Sequence, residues 1–149
     1  MSEIAIERAA TEQVVLTVVT QLKNGEIDDA IDLFVEEFTF TDRGIGLEFK
    51  DKGRLAEFFR KRHELFPDSC VQIESILMSA DHVVGEWTLQ TTVTEPFYAG
   101  LPRKVQILLH GVSVVRTKYG KITDWSDYYD GLTSRRTALA AYFTDWNGF

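Results

Sequence analysis

In RKVQILLHGVSVVRTKYGKITDWSDYYD, residues 103–130, two long runs rich in β-branched and aromatic residues flank the turn signal TKYG. Such runs predict two paired strands. Along the second, Ile122, Asp124, Ser126, Tyr128 and Asp130 fall on one face. Thr123, Trp125, Asp127 and Tyr129 fall on the other, since successive side chains of a strand point to opposite sides. That face groups two large aromatics around one carboxylate. A charge among apolar side chains is costly unless it is paired or used. Asp127 is therefore either a structural hydrogen-bond acceptor or the acid of an active site.

Working outward, CVQIESILMS (70–79) and HVVGEWTLQTTVT (82–94) predict two more strands joined at the turn ADH. The amino-terminal half has helical spacing instead. In residues 5–23, Ala9, Val15, Val18, Val19 and Leu22 share a face, and Asn24-Gly25 ends the run. EIDDAIDLFVEE (26–37) predicts a second helix with Ile27, Ala30, Ile31 and Phe34 on one side. FTFTD (38–42) reads as a short strand. DKGRLAEFFRKRHELF (51–66) reads as a third helix, stopped by Pro67. GLTSRRTALAAYF (131–143) predicts a terminal helix capped by Thr133 or Ser134. Helices first and a long antiparallel sheet afterwards define an α+β protein with helices on one face of a curved sheet.

A chain of 149 residues is long enough for one domain with a real core, spanning 1–149. Its net charge of −7 disfavours nucleic acid and anionic membrane surfaces, which reward Lys and Arg. No apolar run reaches the length of a membrane span. The charged start MSEIAIERAATEQ lacks a signal-peptide core, which predicts a cytoplasmic protein. The single cysteine, Cys70, is expected to be a buried inert thiol. With three histidines and one cysteine no metal-ligand spacing emerges. RGIG and YAGLP lack the spacing of a phosphate loop, and no cofactor is expected. GVSVV lacks the second glycine of a nucleophile elbow.

The strings NGEIDDAIDLFVEEFTFTD, EFKDKGRLAEFF, GEWTLQTTV and GKITDWSDYYD, in that order, resemble the nuclear transport factor 2-like superfamily over nearly the whole chain. That group includes SnoaL-like polyketide cyclases, ketosteroid isomerases, limonene-epoxide-hydrolase-like enzymes and non-catalytic binding proteins. The resemblance implies a cone-shaped, mixed but mainly antiparallel sheet wrapped around helices and enclosing a cavity. It also implies a homodimer and a small, largely apolar ligand.

Laid on the isomerase pattern, Asp42 falls on the position of the general base, where an apolar cavity would raise its pKa into a working range. Alternatively, Asp42 in TDRGIG caps its own loop. Asp127 matches an inward aspartate of the epoxide hydrolases, with Trp125 and Tyr129 on pocket-lining positions. Trp87 falls on an inward position, and Phe40 either lines the pocket or fills the core. Phe58 and Phe59 are read as core.

The departures matter equally. Val18 stands where the isomerases carry their oxyanion-hole tyrosine. Trp87 and Leu89 stand where the epoxide hydrolases carry the Arg and Asp of their relay. Neither mechanism is expected in its known form, and the SnoaL-like group remains.

His110 either faces inward with Leu108 and Val112, coupling to Asp127, or turns outward at a bulge near Gly111. Its structural alternative is a neutral His bonded to a backbone carbonyl. His63, in RKRHEL, reads as part of a solvated helix face, and His82 as a turn residue. TEPFYAGLPRK (94–104) and AYFTDWNGF (141–149) are expected at the cavity mouth or a dimer contact. The expected function is a cofactor-independent cyclase, isomerase or hydrolase using Asp42 and Asp127, with a binding module or an interaction scaffold as alternatives.

Overall fold

The computed structural model describes residues 2–79, 81–94 and 104–130. Helix α1 (Glu3–Lys23) is opened by the Ser2 hydroxyl, which accepts from the Ala5 amide at 3.2 Å. It ends at Asn24, followed by Gly25 with φ of +75°, a left-handed closure suited to glycine. Helix α2 (Ile27–Ile31) buries Ile27, Ala30 and Ile31. Strands β1 (Phe34–Asp42) and β2 (Leu47–Phe49) precede helix α3 (Lys52–Leu65), which the Asp51 carboxylate caps through the Arg54 amide at 2.9 Å. Strands β3 (Cys70–Met78), β4 (His82–Thr94), β5 (Lys104–Lys118) and β6 (Lys121–Tyr129) complete the order.

The six strands form one open, curved sheet in the order β2-β1-β6-β5-β4-β3. All neighbours are antiparallel except β1 and β6, whose parallel pairing sets Phe40 beside Trp125 and Asp42 beside Asp127. The α+β architecture read from the sequence is the observed one. The two-residue turn Tyr119-Gly120, with φ of 52° and 76°, closes the β5–β6 hairpin because both positions adopt the left-handed region that matches strand twist.

Phe34, Phe38, Phe40, Leu55, Phe58 and Phe59 are essentially fully buried and form the centre of the core between α2, α3 and β1. The Phe40 ring meets Phe59 edge-on at 5.3 Å and stacks at 6.4 Å from Trp125.

Three expectations are corrected. The second helix stops at Ile31, and FVEE belongs to β1. Phe34 satisfies both a helical and an alternating pattern, and pairing with Ile122 across to β6 decides in favour of the strand. Ile122 does not oppose Trp125. A register shift between Arg116 and Thr117 leaves Thr123 as an extra residue, so Ile122 and Trp125 both point into the core. Cys70 is exposed, because β3 is the outer edge strand. The expected terminal helix and most of the 94–104 loop lie outside the described residues.

Candidate functional site

The site is built by three neighbouring strands. On β5, odd-numbered residues point inward, so Ile107, Leu109, Ser113 and Val115 are buried while Leu108 and His110 are exposed. Ser113 pairs with Asp127 across the β5–β6 ladder, and Trp87 on β4 pairs with Gly111. Close approach at Gly111 is a requirement: a Cβ there would overlap the Trp87 indole and lie 2.8 Å from the Tyr128 carbonyl. The missing side chain lets the indole lie across β5 and reach the next inward residue, Ser113.

A directional hydrogen-bond chain results. The Trp87 indole N–H donates to Ser113 Oγ at 2.8 Å, and that hydroxyl donates to Asp127 Oδ1 at 2.5 Å. The Trp125 indole N–H donates to the same Oδ1 at 2.7 Å. Among the described residues, Asp127 Oδ2 accepts no hydrogen bond. Burial pushes the Asp127 pKa up, the Ser113 and Trp125 hydrogen bonds and the Arg62 charge pull it down, and the net shift is upward.

Asp127 lies in the wall of a cavity of about 640 Å³, together with Ser113, Trp87 and Trp125 on the sheet side. Helix α1 supplies Leu16 and Val19, and α3 supplies Phe59, Arg62 and His63. The Arg62 guanidinium lies over the Phe59 ring, 4.9 Å from its centroid, and 5.6 Å from that of Phe58. The His63 ring packs on the turn after α1, so close that a Cβ at Gly25 would sit 2.8 Å from Nε2.

Asp42 is buried beside Asp127 in the sheet but does not line this cavity. Its Oδ1 accepts the Ile45 amide at 3.1 Å, so it does cap its own loop. The Tyr129 hydroxyl also pairs with this carboxyl, and the Tyr129 ring fills the space over Gly44. Burial and the neighbouring Asp127 charge raise Asp42 to about 6, against the opposing pull of Tyr129, Ile45 and Arg62. Burial and the nearby carboxylates push the Tyr129 phenol far up, so it remains a neutral donor.

Of the residues singled out in the sequence, Asp127, Trp87 and Trp125 meet at the cavity. Phe40 fills the core. Tyr129 serves Asp42, with its ring 6.2 Å from that of Trp87. His110 sits on the outer face, its Nδ1 3.2 Å from Thr88 Oγ1, without any bulge in the β4–β5 register and away from Asp127. Its simple odd–even parity puts it outside. His63 lines the cavity instead of facing bulk solvent. The sequence pattern does not single out Arg62 or Ser113. Arg62 follows Phe58 and Phe59 by four and three residues, the spacing of one helix face, and that was the available signal. Among the described residues no group of His, Cys, Asp and Glu is placed to hold a metal, and no helix is long and apolar enough to cross a membrane.

The sequence profile of the SnoaL-like polyketide cyclase family matches residues 12–137, and the chain belongs to that family. Among curated proteins, none matches significantly by sequence. The fold is shared with a protein from Jannaschia sp. CCS1 designated a SnoaL-like polyketide cyclase, at TM-score 0.74 and 19% identity, covering 95% of this chain and 96% of that one. An LEH-like epoxide hydrolase of M. tuberculosis aligns with TM-score 0.71 and 18% identity over 92% and 95% of the two chains. A ketosteroid isomerase-like protein from Catenulispora acidiphila DSM 44928, solved with trimethylamine, gives 0.67 and 19% over 78% and 85%. Family membership supports enzyme-type function in general terms.

Proposed function

We propose that the protein is a cofactor-independent acid/base enzyme of the cyclase, isomerase or hydrolase type, acting on a small, largely apolar carbonyl compound. The observation that carries this reading is the Asp127 carboxyl. One of its oxygens is fixed by Ser113 and Trp125, while the other accepts no hydrogen bond among the described residues, in the wall of a cavity with aromatic sides. A carboxyl held rigidly with a raised pKa can give a proton to a substrate oxygen or take one from carbon. Asp42 is not assigned a proton-transfer role, since its own oxygens serve the 42–46 turn and Tyr129. That the Catenulispora protein of the same fold was solved with trimethylamine is consistent with small-molecule binding.

The test is turnover of a panel of aryl ketones and epoxides by the wild-type protein and by Asp127→Asn. Loss of roughly 10²–10⁴-fold is expected, the range of a positioned proton-transfer group. Equal turnover by the variant would sink the role given to Asp127. A second reading, a binding module, is favoured by Val18, fully buried where an oxyanion donor would stand. Saturable binding of panel members with no turnover by the wild type would select it. We also propose a homodimer through the outer sheet face, where Leu77 and Leu108 are exposed. Light scattering coupled to gel filtration reads its mass directly.

A further inference from the structure

The basic groups of the cavity are unused by the hydrogen-bond chain around Asp127. Arg62 lines the cavity from α3 with its guanidinium over Phe58 and Phe59, and among the described residues no carboxylate forms an ion pair with it. Its helix neighbour Arg60, by contrast, is paired with Asp28 at 2.6 Å on the exposed side. His63 and Lys23 border the same cavity. Thus, among the described residues, a chain of net charge −7 presents two cations and a histidine to this space against one carboxyl, Asp127. A guanidinium resting on two aromatic faces has its stem and plane fixed, while its N–H edge stays free for a planar oxygen pair. An apolar molecule alone would leave that edge without a partner when it displaced water.

We propose that the ligand of this cavity is an aromatic carboxylate, its ring against Trp87 and Trp125 and its carboxylate on Arg62. This rests on the cavity being the ligand site, and it narrows the substrate class proposed above from a neutral carbonyl compound to one that also bears an acid group. The carboxylate is then a handle remote from the reacting carbon, and Arg62 a binding residue rather than a proton carrier.

The experiment is calorimetric titration of the full chain with 2-naphthoate and with methyl 2-naphthoate. The acid should bind roughly tenfold or more tightly than the ester, the size of a charge-assisted hydrogen-bond pair. Arg62→Gln should erase that preference and Arg62→Lys should keep part of it. Arg60→Gln, which removes the same charge from the outer side of α3, should leave the preference intact. Asp127→Asn should also retain it, so loss of turnover and loss of acid binding are read separately. Equal binding of acid and ester, binding of neither, or an undiminished preference in a folded Arg62→Gln protein would each overturn the proposal.

Discussion

Ser113 lies directly across the β5–β6 ladder from Asp127 and donates its hydroxyl to the carboxylate at 2.5 Å while accepting the Trp87 indole at 2.8 Å. One hydroxyl thus joins the cavity's aromatic wall to its acid. Because a hydroxyl has a single proton, the Trp87 donor forces that proton toward Asp127. The carboxylate form is stabilised by this arrangement even though burial works against it.

Ser113→Ala removes a donor from Asp127 and an acceptor from Trp87. The Asp127 pKa should rise further above its ordinary value, as read by carbon-13 carboxyl titration, and any pH–rate limb due to Asp127 should move up with it. Ser113→Thr, which keeps the hydroxyl, should restore most of the position. A titration identical in wild type and Ser113→Ala would remove Ser113 from the site.

Asp42 makes stability depend on pH with a definite sign. Its folded pKa of about 6 exceeds the ordinary 3.8, so the fold favours the protonated form. The associated stability is full below about pH 4 and is lost as pH rises through about 6, an effect of about 3 kcal/mol. In Asp42→Asn the neutral side chain still accepts the Ile45 amide, so the variant should gain on the wild type by about that amount between pH 4 and 7. Asp127 shifts in the same direction but is present in both proteins. Urea unfolding at the two pH values measures the difference, and parallel curves would refute it.

Gly44→Ala should destabilise the fold, because the new methyl overlaps the Tyr129 ring. Overpacking of this kind costs about 1–3 kcal/mol or more. Tyr129→Ala in the same chain should recover part of the loss, giving a coupling free energy of about 1 kcal/mol or above in a double-mutant cycle. Additive losses would show that Tyr129 yields without strain.

Phe40 and His110 should separate stability from activity. Phe40→Ala opens a hole among Phe49, Phe58, Phe59 and Trp125 and should cost about 3–5 kcal/mol in denaturant unfolding. His110→Gln, on the outer face, should leave turnover by Asp127 unchanged. A His110→Gln protein that folds but loses turnover would place the reacting groups on the wrong side of the sheet.

The sequence by itself determined the order of the longer elements, because helical spacing and alternating runs are local signals, whereas the three-residue β2 is not legible in it. It also determined that Asp127 shares a face with Trp125 and Tyr129, since strand parity needs no partner. Tertiary structure decided what each of those side chains meets. Phe34 became a strand residue only because β6 offered Ile122 to pair with. The bulge at Thr123 arises from matching β5, so no periodicity in β6 alone reveals it. Asp42 and Asp127 are separated by 85 residues yet adjacent in the sheet. Tyr129 packs over Gly44 and pairs with Asp42, while Asp127 lines the cavity. Arg62 and His63 look like solvated charges in RKRHEL because a one-dimensional pattern does not say which helix face a distant sheet will cover. Long-range pairing and burial are properties of two segments at once, and those are what turned an acid among aromatics into a candidate site.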